Sequence, residues 1–169
     1  MWRQLRYDLP LHFILRLTNW LPDNIMFIRL RGRLARPFFK KCGKHLGIGR
    51  NVSFYNPSCI EIGDSVYIAY GCWFLGVGKL VIEDDVLFGP YVVVSPANHT
   101  KLEGSYRNGP AEFSDIIIGK GAWVGAHTTI VMGAGVGKGT LIAANSVLNK
   151  PTEDNALYGG VPAKFLKQT

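Results

Sequence analysis

A six-residue period runs through the second half of the chain. From Ile118 the sequence divides into IGKGAW, VGAHTT, IVMGAG, VGKGTL and IAANSV, followed by Leu148. The first position of each six is aliphatic, the second is mostly Gly or Ala, and the fifth is small. Residues six apart lie on different faces of an α-helix, and the pleat of a strand repeats every two residues. The period therefore predicts a solenoid of short, flat strands joined by tight turns, with the aliphatic positions inside.

The first half of the repeat is less regular. Hexads begin at Ile48, and their register restarts two residues late at Ile62 and again at Ile82. Three hexads make one triangular coil, so each slip predicts an enlarged corner and not the end of the repeat.

A polar insertion interrupts the pattern after His99. Val94 and Ile118 are separated by four hexads, so the repeat resumes in register after the segment 100–115. Its Gly and Pro residues predict a loop that leaves one corner, and a long loop in a compact repeat is usually functional. His99 lies where the loop departs, and the residues alone leave two readings of it open, a catalytic base and a structural turn residue.

Residues 1–43 lack the repeat and predict two helices. Asp8, followed by Pro10, predicts the start of the first helix, which ends before Pro22. Asp23 is the predicted cap of the second helix.

The positive charge of the chain is concentrated in its first fifty residues. Eleven of the 19 Lys and Arg residues lie in 1–50 against two Asp, a balance of +9, so the net charge of +7 leaves −2 for the rest. Two compatible interpretations follow: a helical cap over the open end of the solenoid, or a basic amphipathic element on an anionic membrane surface. Nucleic acid is disfavoured as a partner, because the remaining sequence supplies no basic groove.

The sequence also carries signals of location. No stretch approaches the roughly twenty apolar residues of a membrane-spanning helix. Arg3 and Arg6 without a small-residue cleavage site argue against a secretory signal. The odd set Cys42, Cys59 and Cys72, without a C-x-x-C pair, predicts thiols in a reducing compartment. A cytoplasmic location is therefore expected, with a peripheral position at the inner face of the membrane as a further possibility.

The run from Phe88 to Leu166 resembles a known family. The pieces FGPYVVVSPANH, the WVGA coil and the closing YGGVPAKFL are similar to the hexapeptide-repeat O-acetyltransferases, in their galactoside/maltose branch and its relatives in polysaccharide synthesis. The resemblance implies an all-β fold, a left-handed parallel β-helix over 44–166 with the helical segment 1–43 capping it. It also implies a homotrimer with sites between subunits, acetyl-CoA as donor, a sugar as acceptor and no metal requirement.

The resemblance assigns roles to particular residues. His99 is then the general base that takes the proton of a sugar hydroxyl as its oxygen attacks the thioester; imidazole ordinarily titrates near neutral pH, which suits this task. Five further positions match residues that bind CoA in the family. Ala126 and Ala144 match positions against the pantetheine arm, and Asn149 and Lys150 match positions near the adenine. Lys164 matches a basic position that reaches toward the phosphates.

The chain departs from the galactoside branch ahead of His99. The Asn and Asp with which that branch grips its sugar are missing from the corresponding segment AYGCWFLGVG. This predicts a remodelled acceptor site, more apolar around Tyr70, Trp73 and Phe74, and suggests a larger or lipid-linked glycan as acceptor.

Three other functions are considered. A γ-class carbonic anhydrase needs three histidines for its metal, and only His99 and His127 lie in the coils. A serine or xenobiotic acetyltransferase and a non-catalytic trimeric scaffold remain as alternatives.

Overall fold

The computed structural model describes residues 2–169. Between residues 41 and 160 the chain winds as a left-handed parallel β-helix of about six coils, which confirms the predicted fold class. Each regular coil passes through three flat parallel sheets, which we name A, B and C.

The strands of the coils are short. Sheet A contains β1 (Lys41–Cys42), β4 (Ile60–Ile62), β7 (Leu80–Ile82) and β12 (Ile116–Ile118). Sheet B contains β2 (Gly47–Ile48), β5 (Tyr67–Ile68), β8 (Leu87–Phe88), β13 (Trp123–Val124), β15 (Leu141–Ile142), β17 (Ala156–Gly160) and β18 (Ala163–Gln168), the last of which is antiparallel to β17. Sheet C contains β3 (Ser53–Tyr55), β6 (Trp73–Leu75), β9 (Val93–Ser95), β14 (Thr129–Val131) and β16 (Val147–Leu148). A separate hairpin consists of β10 (Ala97–His99) and β11 (Ala111–Phe113).

The core consists of the aliphatic first positions of the hexads. Their side chains are at most 4 % exposed and stack from coil to coil in Ile118, Val124, Ile130, Val136, Ile142 and Leu148. The small fifth positions are also buried, and the two threonines among them donate their hydroxyl groups to the next coil: Thr128 to the Ala143 carbonyl at 3.2 Å and Thr140 to the Glu153 carbonyl at 2.6 Å. Small residues are required there because the chain turns inward against its neighbours.

The corners define two edges of sheet C. We call the turns from sheet B to sheet C the B–C edge and the turns from sheet C to sheet A the C–A edge. The two register slips both enlarge the C–A edge, at 56–59 and 76–79, and the polar insertion leaves the next coil at the same edge. The insertion therefore extends a corner that is already widened in the two preceding coils.

Two helices, α1 (Leu9–Thr18) and α2 (Ile25–Ala35), lie at the start of the β-helix. A π-helical segment Gln4–Asp8 precedes α1, and a 3₁₀ turn Arg36–Phe38 follows α2. The helix α2 packs closely on β2: a Cβ added at Gly32 would overlap the Leu46 carbonyl oxygen. The division of the chain into 1–43 and 44–166 stays a prediction; β1 already pairs in sheet A from Lys41.

The structure confirms the start of α1 after Asp8, although a π-helical segment precedes it, and it shows that the predicted cap of α2 is wrong. Asp8 has a helical backbone inside a continuous helix, and its Oδ1 accepts the Asn56 N–H at 2.8 Å. The N-cap of α2 is Asn24, whose Oδ1 accepts the Phe27 N–H at 3.0 Å. Asp23 instead binds the guanidinium of Arg31 at 2.8 Å. Each carboxylate is used by a distant part of the chain, which local capping rules do not consider.

Arg31 holds α2 against the first coil. Its side chain is completely buried, and besides Asp23 it donates to the Ile48 carbonyl at 3.2 Å and to the Thr18 carbonyl at 3.3 Å. The sequence predicted only an amphipathic helix here. None of the helices between residues 2 and 169 has the length and apolarity needed to span a membrane.

Candidate active site

The insertion at the C–A edge is a hairpin and not an irregular loop. Its strands pair with His99 opposite Ala111, and Thr100 closes the pair by donating its N–H to the Pro110 carbonyl at 3.0 Å. His99 therefore lies within a strand, one step after the chain has left sheet C. An antiparallel ladder fixes the backbone of His99 while its side chain stands free of the β-helix.

His99 is exposed to an open cleft. The cleft has a volume of about 730 Å³, and Tyr106, Arg107 and Asn108 of the same hairpin line it. The backbone N–H of His99 donates to Asn98 Oδ1 at 3.0 Å, and no group among residues 2–169 hydrogen-bonds the imidazole. The imidazole is thus available to a reacting group from outside the chain.

The B–C edge has a smooth surface built from small residues. Ala126 and Ala144 occupy the same position in adjacent coils, and the Asn145 N–H donates to the Ala126 carbonyl at 2.9 Å. A Cβ added at Gly125 would lie 2.6 Å from the Ala144 nitrogen, so the coils stack too closely for any larger residue there. At positions 126 and 144 only methyl groups project, so a thin ligand chain can approach the backbone there, while the exposed side chains of His127 and Asn145 follow in the same turns.

The remaining predicted donor residues divide between the two edges. Lys164 in β18 is paired with Gly159 of β17, and a Cβ at Gly159 would lie 3.1 Å from the Cβ of Ala143. Lys164 therefore lies at the B–C end of sheet B, one strand beyond Gly159 and two strands from Ala143. Asn149 and Lys150 follow β16 and lie exposed at the C–A edge, the edge that also carries His99.

Sheet C separates the base from the two alanines. From Ala126 the chain crosses the sheet through β14 before it turns again at 132–135, a span of roughly 15–20 Å at about 3.3 Å per residue. His99 and Ala126 of one chain therefore cannot contact the same thioester. A site that uses both residues requires the C–A edge of one copy and the B–C edge of another.

A second cavity lies between α1 and sheet C. It has a volume of about 790 Å³, and Asp8, His12, Asn51 and Tyr55 are among the residues that line it. One carboxylate oxygen of Asp8, Oδ2, is buried and has no hydrogen-bond partner in the described part of the chain. Such an oxygen is an acceptor for a hydroxyl group of a ligand.

The cavity extends across the first coil and reaches the edge that carries His99. Tyr55 lies at the C–A end of the first coil and the hairpin leaves two coils further on, roughly 10 Å away at about 4.8 Å per strand. The ring of Trp73 lies between them on the outer face of sheet C, 5.6 Å from the ring of Tyr55. The sequence did not identify the cavity, because Asp8 was predicted only as the start of a helix and nothing nearby in sequence points to Asn56.

The predicted apolar cluster of Tyr70, Trp73 and Phe74 does not form one surface. Phe74 is completely buried and stacks on Phe54 with ring centroids 5.3 Å apart. Tyr70 lies at the B–C edge and packs against Tyr91. Trp73 and Tyr70 each contact a residue that lines the cavity, Trp73 through Tyr55 and Tyr70 through Asn51.

No model of a known protein family matches the chain. Similar proteins are nevertheless known. The galactoside O-acetyltransferase of Escherichia coli (strain K12) is 27 % identical over 141 residues, which cover 83 % of this chain and 70 % of the relative. The putative lipopolysaccharide biosynthesis O-acetyl transferase WbbJ of the same strain is 30 % identical over 129 residues, 71 % of this chain and 62 % of that relative.

A solved structure of a galactoside acetyltransferase in complex with coenzyme A superposes with a TM-score of 0.84. Its sequence is 25 % identical, and the match covers 98 % of this chain and 80 % of the other. The similarity thus includes the helices as well as the coils. Among residues 2–169, no three His, Cys, Asp or Glu side chains are grouped so as to hold a metal ion.

Proposed function

From the premise that this chain belongs to the hexapeptide-repeat acetyltransferases, we propose that it transfers an acetyl group from acetyl-CoA to a hydroxyl group of a sugar. The observation that carries the proposal is the exposed, unbonded imidazole of His99, fixed by a hairpin at the edge of the β-helix. The names of the two Escherichia coli relatives, a galactoside and a lipopolysaccharide O-acetyltransferase, support the sugar acceptor.

His99 acts as the general base in this proposal. Its imidazole takes the proton of the sugar hydroxyl while the oxygen attacks the thioester carbonyl, and a backbone N–H of the groove stabilises the oxyanion. When the carbon–sulfur bond breaks, the imidazolium returns the proton to the departing sulfur. The sugar leaves as an ester and CoA leaves as a thiol, so His99 ends in its starting protonation state.

The donor lies between two copies of the chain. Ala126, Ala144 and Lys164 of one B–C edge hold the pantetheine arm and a phosphate, while Asn149 and Lys150 of the neighbour's C–A edge lie beside the nucleotide. Both edges run parallel to the axis of the β-helix, so all five residues and His99 can line one groove. An exposed lysine suits a phosphate because the attraction needs no special geometry.

The proposed groove requires a closed ring of chains, and the family resemblance implies that this ring is a homotrimer. The contact joins two different edges, so it is heterologous and must close into a ring to give a finite assembly. An exposed apolar column on the outer face of sheet B supplies contact area beside the B–C edge. Its register-paired residues are Tyr67, Leu87, Trp123, Leu141 and Leu157.

The acceptor is a glycan larger than a free sugar. The cavity beside Asp8 lies roughly 10 Å from the hairpin along one edge, about the length of two sugar units, and the rings of Tyr55 and Trp73 lie between. Aromatic faces of this kind suit the apolar faces of sugar rings. We place the enzyme in the cytoplasm, at the inner face of the membrane.

The test is thioester cleavage with acetyl-CoA across a panel of acceptors. Free sugars, nucleotide sugars, oligosaccharides, lipid-linked sugars, serine and chloramphenicol are compared, with the wild type beside His99→Ala. We expect cleavage with a glycan and a loss of about 10²–10⁴-fold in kcat for the variant, the usual contribution of a general base. Equal rates in variant and wild type would contradict the role of His99. Preference for serine or chloramphenicol would contradict the glycan acceptor, and tight CoA binding without any cleavage would indicate a scaffold.

A further inference from the structure

The side of the first helix that faces away from the β-helix is apolar. Leu11 and Leu15 pack into the core on the inner side. On the outer side, apolar residues recur every three or four positions and form one face, which we call the α1 stripe. Its members and their exposed fractions are Trp2 75 %, Leu5 51 %, Leu9 43 %, Phe13 58 %, Leu17 70 % and Trp20 80 %.

The α1 stripe is large for a surface patch. At about 150–250 Å² for a whole aromatic side chain, Trp2, Phe13 and Trp20 alone expose on the order of 400 Å². Roughly 300–600 Å² is the usual size of the largest apolar patch on a whole monomer, and such patches mark interaction sites. A helix that only capped the β-helix would need its inner side alone.

The charges around the stripe are all of one sign. Arg6 and Arg16 of the first helix and Arg29 and Arg33 of α2 are exposed beside it. Both carboxylates found in residues 2–38 point inward: Asp8 accepts the Asn56 N–H, and Asp23 binds Arg31 and Arg50. The outer surface of the helices therefore combines apolar side chains with cations, without a carboxylate to repel an anionic partner.

We propose that the α1 stripe docks on the surface of a bilayer that contains anionic phospholipid. A helix lying in the interface inserts its apolar face below the headgroups while arginines at its sides reach the phosphates. Trp2 and Trp20 lie at the two ends of the stripe, and indole rings prefer this boundary layer. A second copy of the chain fits less well, because a symmetric contact through this face would bring the same arginines together.

Docking also gives the cavity behind α1 a role. Leu9 belongs to the stripe and also lines the cavity with Asp8 and Tyr55. The docked helix thus holds the cavity next to the headgroups, and this step, which rests on the proposed function, favours an acceptor attached to a lipid.

The test is co-sedimentation of the full chain with vesicles, which needs no catalytic activity. Vesicles of phosphatidylcholine alone are compared with vesicles containing phosphatidylglycerol, at low and at high salt. We expect binding to the anionic vesicles that weakens with salt. Arg6→Gln with Arg16→Gln should weaken it roughly 30-fold, since each basic residue near such a surface contributes about fivefold.

Phe13→Glu with Leu17→Glu should weaken vesicle binding by roughly 100-fold or more, because it removes two inserted side chains. The matched control is Leu102→Glu with Val161→Glu, which makes the same charge change at residues 50 % and 71 % exposed elsewhere, and should keep binding. The proposal is overturned if the wild type ignores anionic vesicles, or if both Glu pairs weaken binding equally. A change of oligomer mass in the Phe13 and Leu17 variant, seen by light scattering, would also overturn it and assign the stripe to a subunit contact.

Discussion

The two edges of sheet C belong to the same coils but differ in how uniform their turns are. At the B–C edge every turn is short and holds one residue in the left-handed conformation, in the column Asn51, Gly71, Tyr91, His127 and Asn145. At the C–A edge the turns differ from coil to coil, from the bend at 76–79 to the hairpin within 96–115.

The difference explains where we propose that binding and chemistry take place. A turn with the same backbone conformation in every coil forms a regular surface. At the B–C edge, two of the outer positions of these turns are Ala126 and Ala144. The equivalent positions after Gly119 and Gly137, at the third edge, are Lys120 and Lys138. A variable turn can instead extend away from the coil and present a side chain such as His99. One edge suits a thin donor arm and the other a base and an acceptor.

The largest difference between the two edges is expected when a bulky side chain is placed at the B–C edge. Ala144→Phe places a ring where the pantetheine arm is proposed to lie, and should raise KM for acetyl-CoA by about 100-fold, the cost of losing roughly 3 kcal/mol of binding. Ala144 is exposed, so the melting temperature should not change. Steady-state kinetics with acetyl-CoA as the varied substrate provide the measurement.

Lys138→Phe is the matched control for this substitution, because Lys138 occupies the same hexad position at another edge. It should leave KM for acetyl-CoA within about twofold. An equal rise in both variants would mean that the edges do not differ in donor binding.

A core substitution beneath sheet C should affect both edges together. Ile130 is completely buried midway along β14, and Ile130→Ala should lower the free energy of unfolding by about 3 kcal/mol through lost burial and a cavity. Urea denaturation measures this, with Val131→Ala at a half-buried neighbour as a control that should cost less. A loss below about 1 kcal/mol would show that the coil does not depend on its hexad positions.

The smallest effect concerns a thiol at the smooth edge. Cys72 is buried there and donates to the Gly89 carbonyl at 3.2 Å; burial raises the pKa of its thiol to about 11. Because the pKa is raised in the folded state, the stability from the neutral thiol is complete below about pH 9 and is lost as the pH rises toward 11. Cys72→Ser should reduce the fall in stability over this range, as measured by denaturation at pH 8 and pH 10. If the free energy of unfolding fell by the same amount between pH 8 and pH 10 in Cys72→Ser and in the wild type, this prediction would be wrong.

The same thiol should resist alkylation in the native protein. At pH 8 roughly one molecule in a thousand carries the reactive thiolate, so iodoacetamide should modify Cys72 only after denaturation. Peptide mass spectrometry distinguishes the sites, and native labelling of Cys72 at the unfolded rate would be contrary to this account.

The sequence was informative wherever local rules decide the structure. The hexad period predicted the buried columns. Each short strand must point one aliphatic side chain inward, so the six-residue spacing is visible even within a single coil. The widened corners followed from the two register slips, whereas the role of His99, which the family resemblance assigned, stays a prediction.

Contacts between distant segments were not predictable in this way. Asp8 accepts a hydrogen bond from a backbone N–H 48 residues away, and the buried Arg31 donates to a carbonyl 17 residues away. Both residues have local interpretations, the start of a helix for Asp8 and a solvated side chain for Arg31, that fit the sequence equally well. The cavity beside Asp8 and the separation of His99 from Ala126 across sheet C likewise depend on how coils stack.

The central claim is that one active site takes its base from the C–A edge of one chain and its donor surface from the B–C edge of another. Co-expression of His99→Ala and Ala144→Phe chains tests it directly. In a randomly mixed ring about one contact in four joins an intact His99 to an intact Ala144, so the mixture should recover about one quarter of wild-type activity while each parent stays nearly inactive. If hybrid rings form, as native mass spectrometry can verify, and activity remains at the level of the parents, the site lies within one chain and the claim is wrong.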